Sequence, residues 1–205
     1  MSAPPPELPR ERRSYPKGVA RRQEILDRAI EVFAKRGAQR TSLRAIAREV
    51  GVTHAALTHY FGSLEELLVA VYQESELRED HDGPAAADVS PAELMRISAA
   101  ENREIPGLVQ LYSTLVANAL EDGHSAAQEF ATQRFARVRE DLAHRVQHLQ
   151  SEGRLRDDVD PELVAALVVA ASDGLQTQWL LDPAVDHEAA LAMLDRLLAR
   201  PLAEG

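Results

Sequence analysis

Residues 41–67 read TSLRAIAREVGVTHAALTHYFGSLEEL, a stretch in which a glycine separates two short segments with apolar residues at helical spacing. Each segment spans about two helical turns, and helices of that length are not stable by themselves in water. Both therefore need a third helix to pack against. Gly51 permits the left-handed backbone of a tight turn, and Thr53 can cap the helix that follows. The stretch predicts a helix-turn-helix, with buried faces formed by Leu43, Ile46, Ala47, Val50, Leu57 and Phe61.

The second helix of this pair, from about His54 to Tyr60, leaves small and hydrogen-bonding side chains exposed and no acidic one. The exposed positions are His54, Ala55, Thr58 and His59. A helix that enters the major groove of DNA needs hydrogen-bonding groups, small residues for close approach and no carboxylate near the phosphates. The pattern favours DNA binding, although a short helix pair with a glycine turn is also compatible with a generic helical hairpin.

The remainder of the chain is also predicted to be helical. The first helix runs from about Val19 to Lys35, is amphipathic and ends before Gly37. Later helices have explicit start signals, which are Ser63 with Glu66, Ser90-Pro91, Pro106-Gly107, Ser125 with Gln128, Asp160-Pro161 and Asp186. Ser63 and Ser125 each precede an acid or amide by three residues, the spacing of a capping box. No segment alternates with the period of a strand, so we expect an all-α fold of about nine helices.

Composition excludes several classes of protein. The 205 residues are 45% hydrophobic, enough for a packed core, and contain no cysteine, which excludes disulfides and thiolate chemistry. The longest apolar run, Leu163–Ala171, is far shorter than the roughly 18 residues of a membrane span. Met1–Arg13 lacks the apolar segment of a secretory signal. We therefore expect a cytoplasmic protein that has no membrane partner.

Charge is divided unevenly along the chain. Residues 1–62 contain 12 Lys/Arg and 6 Asp/Glu, a net charge of +6, whereas residues 63–205 contain 11 and 27, a net charge of −16. A basic N-terminal part on an acidic body is typical of a protein in which one end meets phosphates. A basic arm without a partner is the alternative, but residues 20–62 alone still carry +4.

Val19–Gln73 closely resemble the DNA-binding domain of the TetR family. The matching positions are Ile25-Leu26, Ala29, Phe33, Gly37, Thr41 to Ala47, Gly51-Val52-Thr53, Leu57, His59-Tyr60-Phe61, Ser63 and Glu66-Leu67-Leu68. The chain length, the nine predicted helices and the N-terminal position of the helix-turn-helix also match. Beyond Ser75 the resemblance extends only to the order of helices. It implies an N-terminal three-helix DNA-binding domain and a C-terminal helical domain for ligand binding and dimerisation.

The resemblance also implies which residues contact DNA. They are Thr41, Ser42, Arg44, Thr53, His54, Ala55, Thr58, His59 and Tyr60. The chain departs from the family pattern at Thr58, where an aromatic is usual, and at Leu64, where a lysine usually anchors a phosphate. The basic N-terminal arm is a candidate substitute for that anchor, through Arg10, Arg12, Arg13, Lys17, Arg21 and Arg22. A non-contacting tail is the alternative.

The two C-terminal helices are the expected homodimer interface, since two-fold dimers place two recognition helices about one DNA turn apart. The candidate interface residues are Leu163, Ala166, Leu167, Ala170, Ala171 and Gly174 on the eighth helix and Leu191, Leu194, Leu197 and Leu198 on the ninth. From the residues alone these could equally form an intramolecular core. The resemblance favours the intermolecular bundle.

The predicted ligand-binding residues are semi-polar residues on otherwise apolar helices. They are Met95, Tyr112, Asn118, Gln133, Gln176 and Trp179, each of which could also be an ordinary core or surface residue. His144 and His148 have a spacing that can hold a metal, and Asp80-His81-Asp82 has metal-ligand chemistry. Neither set has a further ligand placed by the sequence, so we predict no metal site and no cofactor.

These patterns predict a flexible basic arm over residues 1–18, a helix-turn-helix domain over 19–62 and a regulatory and dimerisation domain over 63–205. The expected function is that of a dimeric repressor, which binds a palindromic operator and is released by an unidentified small-molecule effector. An alternative is the same DNA-binding fold controlled by a protein partner. An enzyme is not expected, because neither a nucleophile elbow nor a phosphate-binding glycine loop is present.

Overall fold

The computed structural model describes residues 15–36, 43–78 and 88–200, which form nine helices. The first four are α1 (Tyr15–Arg36), α2 (Leu43–Val50), α3 (His54–Phe61) and α4 (Leu64–Arg78). The other five are α5 (Pro91–Asn102), α6 (Pro106–Asn118), α7 (Ser125–Ser151), α8 (Pro161–Leu181) and α9 (His187–Leu198). Within the described ranges there is no strand, only an isolated bridge between Leu155 and Ala199. The predicted all-α class is confirmed.

Helix α1 is the platform on which the helix-turn-helix packs. Its Ile25, Leu26, Ala29 and Phe33 are at most 1% exposed and share one hydrophobic cluster with α2 and α3. The partners from those two helices are Ile46, Ala47, Val50, Leu57 and Phe61, all of which are buried as predicted. The side chain of Leu43 lies outside the described residues. Burial against α1 supplies the stability that two eight-residue helices lack alone.

The turn between α2 and α3 is held by backbone geometry and by one arginine. Gly51 has a φ of +74°, and the Val52 amide donates to the Ala47 carbonyl at 2.8 Å. Arg28 of α1 donates through Nη1 to the Val50 carbonyl at 2.9 Å. That hydrogen bond satisfies a carbonyl that the end of α2 leaves without a helical partner. Thr53 caps α3 by accepting from the Ala56 amide, as predicted.

The body packs around two hydrophobic clusters. The first continues from the three N-terminal helices into α4, α6 and α7, through residues such as Leu67, Leu111 and Phe130. The second joins α7 to α8 and includes Leu142 and Val168, with α5 and α9 packed at its edge. Since α4 lies in the same cluster as α1 and α3, it packs directly against the head.

One helix start and one helix cap differ from the prediction. Helix α1 begins at Tyr15 rather than near Val19. The capping box predicted at Ser125 is wrong, because α7 has His124 as its N-cap and no side-chain cap bond from it. The Ala126 amide instead donates to the Glu65 carboxylate of α4 at 3.1 Å.

The other predicted starts within the described ranges are confirmed. Ser63 accepts from the Glu66 amide at 3.1 Å, and Ser90, Asp160 and Asp186 cap α5, α8 and α9. Helix α6 begins at Pro106 as expected. The predicted stop at Gly37 lies outside the described residues.

Replacing Gly51 with alanine tests the turn. A Cβ there would lie 3.3 Å from Nη1 of Arg28, on a backbone that L residues rarely adopt. We expect a loss of about 1–2 kcal/mol in the free energy of unfolding, measured with urea. Gly18→Ala is the matched control, because a Cβ at Gly18 meets nothing within 4 Å and alanine favours a helix. Equal effects of the two substitutions would contradict this account of the turn.

Candidate nucleic-acid interface

Helix α3 presents most of the predicted DNA-contacting residues on one outward face. Thr53, His54, Ala55, Thr58 and His59 are exposed, and Tyr60 is half-buried. The opposite face is anchored by Leu57, at 0% exposure, and by Phe61. The outward face is therefore held in place by burial of the inward one, and it carries no carboxylate that would repel a phosphate.

Two local contacts reduce the freedom of this face. The Thr58 hydroxyl donates to the His54 carbonyl at 3.1 Å within α3. The rings of His59 and Tyr60 meet edge to face, with centroids 5.2 Å apart. Packing of the Tyr60 ring against the core of the head leaves its position well determined. A contact surface whose side chains are already ordered loses less conformational entropy on binding.

The remaining predicted contacts lie around α2 and α1. Arg44, at the second position of α2, is exposed. Thr41, Ser42, Arg10, Arg12, Arg13 and the side chain of Lys17 lie outside the described residues.

Arg21 and Arg22, which were grouped with the basic arm as candidate phosphate contacts, lie on the predicted first helix. Both lie on α1, where Arg21 pairs with Glu24 and the Arg22 guanidinium stacks 4.9 Å from the Phe61 ring centroid.

The six predicted ligand-binding residues do not converge on one cavity. Tyr112 is buried, and Gln176 lines a recess between α4, α5, α6 and α8. Met95 packs at the edge of the second cluster, and Trp179 meets His187 with ring centroids 5.4 Å apart. Gln133 is exposed on α7 and bonds Glu129, while Asn118 is the last residue of α6.

Sequence reasoning missed a polar network in the middle of the body. Tyr112 of α6 donates to Asp173 of α8 at 2.9 Å, and Arg134 of α7 donates to the Tyr112 hydroxyl at 3.1 Å. Arg134 also donates through Nε to Glu76 of α4 at 2.8 Å. Its guanidinium lies over the Tyr112 ring, 4.4 Å from the centroid. The network thus joins four helices around the half-buried guanidinium of Arg134.

Burial sets the proton affinities in this network. It raises the pKa of the Asp173 carboxyl, an effect that the Tyr112 hydrogen bond and the charge of Arg134 only partly offset. Burial likewise raises the pKa of Tyr112, so its hydroxyl stays protonated and serves as a donor. One sequence signal was available: Arg134 lies four residues after Phe130, on the apolar side of α7.

Helix α4 connects the head to α7 at both of its ends. In its first turn, Glu65 accepts from the Ala126 amide and lies 2.5 Å from Nδ1 of His124. Near its last turn, Glu76 binds Arg134. Between these points, Glu74 accepts from Gln23 of α1 at 2.5 Å. A displacement of α7 therefore acts directly on the helix that follows α3.

The histidines considered as metal ligands lie on the exposed side of α7. His148 Nε2 lies 3.5 Å from Glu152, and Asp88 completes a group whose ligand atoms lie within 4.8 Å. Arg154 already neutralises this group, at 3.3 Å from Glu152 and 3.6 Å from Asp88. His144 does not belong to this group. Asp80-His81-Asp82 lies outside the described residues.

A helix-turn-helix on a three-helix head, joined to a helical body, defines a DNA-binding regulator. Residues 25–71 match the model of the bacterial regulatory proteins of the tetR family, and residues 95–203 match that of the BetI-type transcriptional repressor C-terminal domain. The chain belongs to the TetR family and is a DNA-binding transcriptional regulator, not an enzyme.

Individual relatives and solved structures match this chain over most of its length. The probable HTH-type transcriptional regulator ArpR of Pseudomonas putida is 30% identical over 186 residues, which cover 84% of this chain and 86% of ArpR. A TetR-family structure from Streptomyces coelicolor A3 is 27% identical with a TM-score of 0.62, covering 89% of this chain and 99% of that one. A structure titled SmeT-Triclosan complex is 20% identical with a TM-score of 0.63, covering 88% and 92%.

Replacing Asp173 tests the energetics of the network. The pKa of Asp173 is raised in the folded protein above its ordinary value of 3.8. The carboxyl group therefore contributes less to the free energy of unfolding as the pH rises from 3.8 through the pKa of the folded state. Asp173→Asn keeps an acceptor for Tyr112 without a buried charge. We expect this variant to be at least as stable as the parent at pH 7, with the difference shrinking toward about pH 4.

Asp173→Ala is the contrasting variant, since it leaves the Tyr112 hydroxyl without its acceptor. Its expected cost is about 1–3 kcal/mol, measured by urea unfolding at the same pH values. A parent protein more stable than Asp173→Asn at pH 7 would show that the ionised carboxylate is stabilising.

Proposed function

We propose that this regulator is a homodimeric repressor that binds a palindromic operator and releases it when a small-molecule effector binds the body. The observation that carries the proposal is the outward face of α3, which combines groove-compatible side chains with an anchored inward face. Selection of bound sequences from a random duplex pool tests it. A palindrome with half-sites about one helical turn apart supports a dimeric repressor, and no enriched sequence contradicts it.

The division of contacts follows from position on the head. We propose that His54 and Ala55, exposed in the first turn of α3, meet base edges, and that Arg44 and Tyr60 contact phosphates. Thr58 is short and its hydroxyl is engaged with His54, so it supplies little beyond close approach. Base readout therefore rests mainly on the N-terminal half of α3.

Exposed apolar residues on the last two helices support a homodimer. Leu163 and Leu167 on α8 are 65% and 66% exposed, and Met193 and Leu197 on α9 are 53% and 62% exposed. Helix α8 is also long and apolar enough to cross a membrane by length and composition alone. Only 22% of its most apolar stretch is buried within the chain, so most of that stretch is left uncovered. In a soluble family these faces call for a partner, and a second copy buries them symmetrically.

Not every predicted interface residue fits this role. Leu191 is 1% exposed and belongs to the core of its own chain. Leu194 and Leu198 are half-buried against the second cluster. Ala170 and Gly174 are exposed, on the same side of α8 as Leu163 and Leu167. The proposed interface is thus the outward stripe of α8 with Met193 and Leu197.

Control by a small molecule is supported by the connections of α4. An effector that alters the Glu76–Arg134 contact changes how α4 is held against α7, and α4 directly follows the recognition helix. The related SmeT structure contains triclosan. The alternative is control by a protein partner, which the small cavity volume of the recess beside Glu76, about 20 Å3, would favour. Operator release by a small molecule alone, without any added protein, separates the two.

Two substitutions on α3 test the division of contacts. His54→Ala should change the preferred operator sequence and cost about 1–3 kcal/mol on the parent operator, because it removes a base contact. Tyr60→Phe should weaken binding to all sequences alike, since it removes a phosphate contact but keeps the packed ring. Sequence selection at two salt concentrations measures both. His148→Ala, on the exposed side of α7, is the control. An unchanged preference in His54→Ala would contradict the placement of α3.

A charge on the outward stripe of α8 tests the dimer. Leu167→Glu should produce monomers in sedimentation experiments and weaken operator binding about tenfold or more, since burying a carboxylate in an apolar interface is costly. Leu120→Glu is the matched control, because Leu120 is 87% exposed and lies beyond the end of α6. A Leu167→Glu dimer as stable as the parent dimer would contradict the proposed interface.

A further inference from the structure

The guanidinium of Arg22 lies at the point where α3 ends. Arg22 is an exposed residue of α1, and its Cζ atom lies 4.9 Å from the centroid of the Phe61 ring. Phe61 is the last residue of α3 and is 4% exposed. A distance below about 6 Å is that of a cation–π contact, so a buried ring of α3 holds an exposed cation of α1 beside it.

Arg22 differs from the other two arginines of α1 whose side chains are described. Arg21 pairs with Glu24. Arg28 lies 3.1 Å from Glu24 and donates to the Val50 carbonyl at 2.9 Å. No carboxylate of the described residues lies within salt-bridge distance of Arg22. The described part of the chain thus leaves the positive charge of Arg22 without an ion pair.

Stacking leaves the hydrogen-bonding edge of this guanidinium available. A guanidinium carries its N–H donors in its own plane, and a ring that covers one face does not occupy them. The Phe61 ring is itself fixed, because it is buried in the cluster that joins α1, α3 and α4. The stack therefore restricts a long side chain before any ligand is bound, which lowers the entropy cost of a contact.

The place of this edge matches that of a phosphate at the wall of the major groove. The groove is about 12 Å wide and an α-helix with its side chains is about 10–12 Å in diameter, so phosphates border a helix that lies in it. The proposed base contacts lie in the first turn of α3, and Arg22 lies at the other end of that eight-residue helix. A cation beside that end meets the DNA backbone rather than base edges.

Two carboxylates follow α3 closely along the chain. They are Glu65 and Glu66, in the first turn of α4, and the residue before them is the uncharged Leu64. Both carboxylates repel a phosphate that approaches the junction of α3 and α4. The guanidinium beside Phe61 offsets that repulsion and supplies donors at the same junction.

We infer that Arg22 contacts the DNA backbone and holds one phosphate at the edge of the major groove through the free edge of its guanidinium. Arg21, its neighbour in the sequence, has no such role, because its charge is already paired with Glu24. The inference rests on the proposed placement of α3 in the major groove. It depends neither on a homodimer nor on a small-molecule effector.

The test measures DNA binding by the full-length protein over a range of salt concentrations. The probes are the duplex that selection enriches and a scrambled duplex of the same length. Arg22→Gln should weaken binding to both about equally, because a phosphate contact does not depend on base sequence. The slope of log Kd against log salt should fall by about 0.9 for each bound protomer. For each protomer, the loss of affinity should then be about threefold smaller at roughly 200 mM salt than at roughly 50 mM.

Three further variants separate a phosphate contact from other effects of the substitution. Arg139→Gln removes the same charge from the exposed side of α7 and should leave the salt slope unchanged. Arg21→Gln removes a paired charge from α1 and should do the same. Arg22→Lys keeps the charge but loses the planar stack, so it should retain most of the slope and recover only part of the affinity. Urea unfolding accompanies each measurement, since a purely structural stack on Phe61 would lower stability without changing the slope.

The outcomes separate this inference from the proposed function. An Arg22→Gln protein that binds a palindromic operator with the salt slope of the parent overturns the backbone contact and leaves the repressor proposal standing. Equal falls in slope for Arg22→Gln and Arg139→Gln show an effect of net charge alone and also overturn the contact. A fall in slope confined to Arg22→Gln, together with an unchanged sequence preference in His54→Ala, supports the contact and contradicts the proposed placement of α3.

Discussion

The contact of α2 and α3 with α1 is the constraint on which the rest of the structure depends. Each of these two helices has eight residues, so neither can be stable without burying a face elsewhere. Phe33 and Leu57, both 0% exposed, mark where that burial occurs, and Arg28 closes the end of α2 from the same helix. Because the inward faces are buried, the outward face of α3 is held in a fixed position on the head. A rigid reading surface allows sequence preference to reside in a few side chains.

Helix α4 transfers this rigidity to the body and also makes it adjustable. Its first turn follows α3 after only Gly62 and Ser63, and its own residues lie in the cluster shared by the head and α6. Yet its fixed points on α7 are polar contacts, through Glu65 and Glu76, rather than apolar packing alone. Polar contacts can be exchanged for contacts with a ligand or with water at modest cost, whereas a packed core cannot. The Glu76–Arg134 contact thus ties α7 to α4, the helix that directly follows α3.

Local patterns in the sequence predicted much of this molecule, and non-local contacts account for what they missed. The helix-turn-helix was predictable because Gly51, Thr53 and the apolar spacing act within a few residues of one another. The start of α7 was assigned to the right residue for a wrong reason, since its cap comes from Glu65, 61 residues away. The sequence did not single out Arg134, because a sequence does not show which charges are paired in the interior. Apolar periodicity on α9 likewise cannot tell Leu191, which is buried in its own chain, from Leu197, which is exposed.

The capping of α7 by Glu65 bears on how heads and bodies can be recombined among related regulators. A chimera joined just after α3 keeps Glu65 in the same parental segment as His124 and Ala126, so the first turn of α7 retains its partner. A chimera joined farther along α4 separates them, and the Ala126 amide at the start of the longest described helix then loses its acceptor unless the incoming head has a carboxylate at that place. Exchange of heads and bodies in this fold is therefore limited by the contact of Glu65 with the start of α7, even when the head and the body each fold.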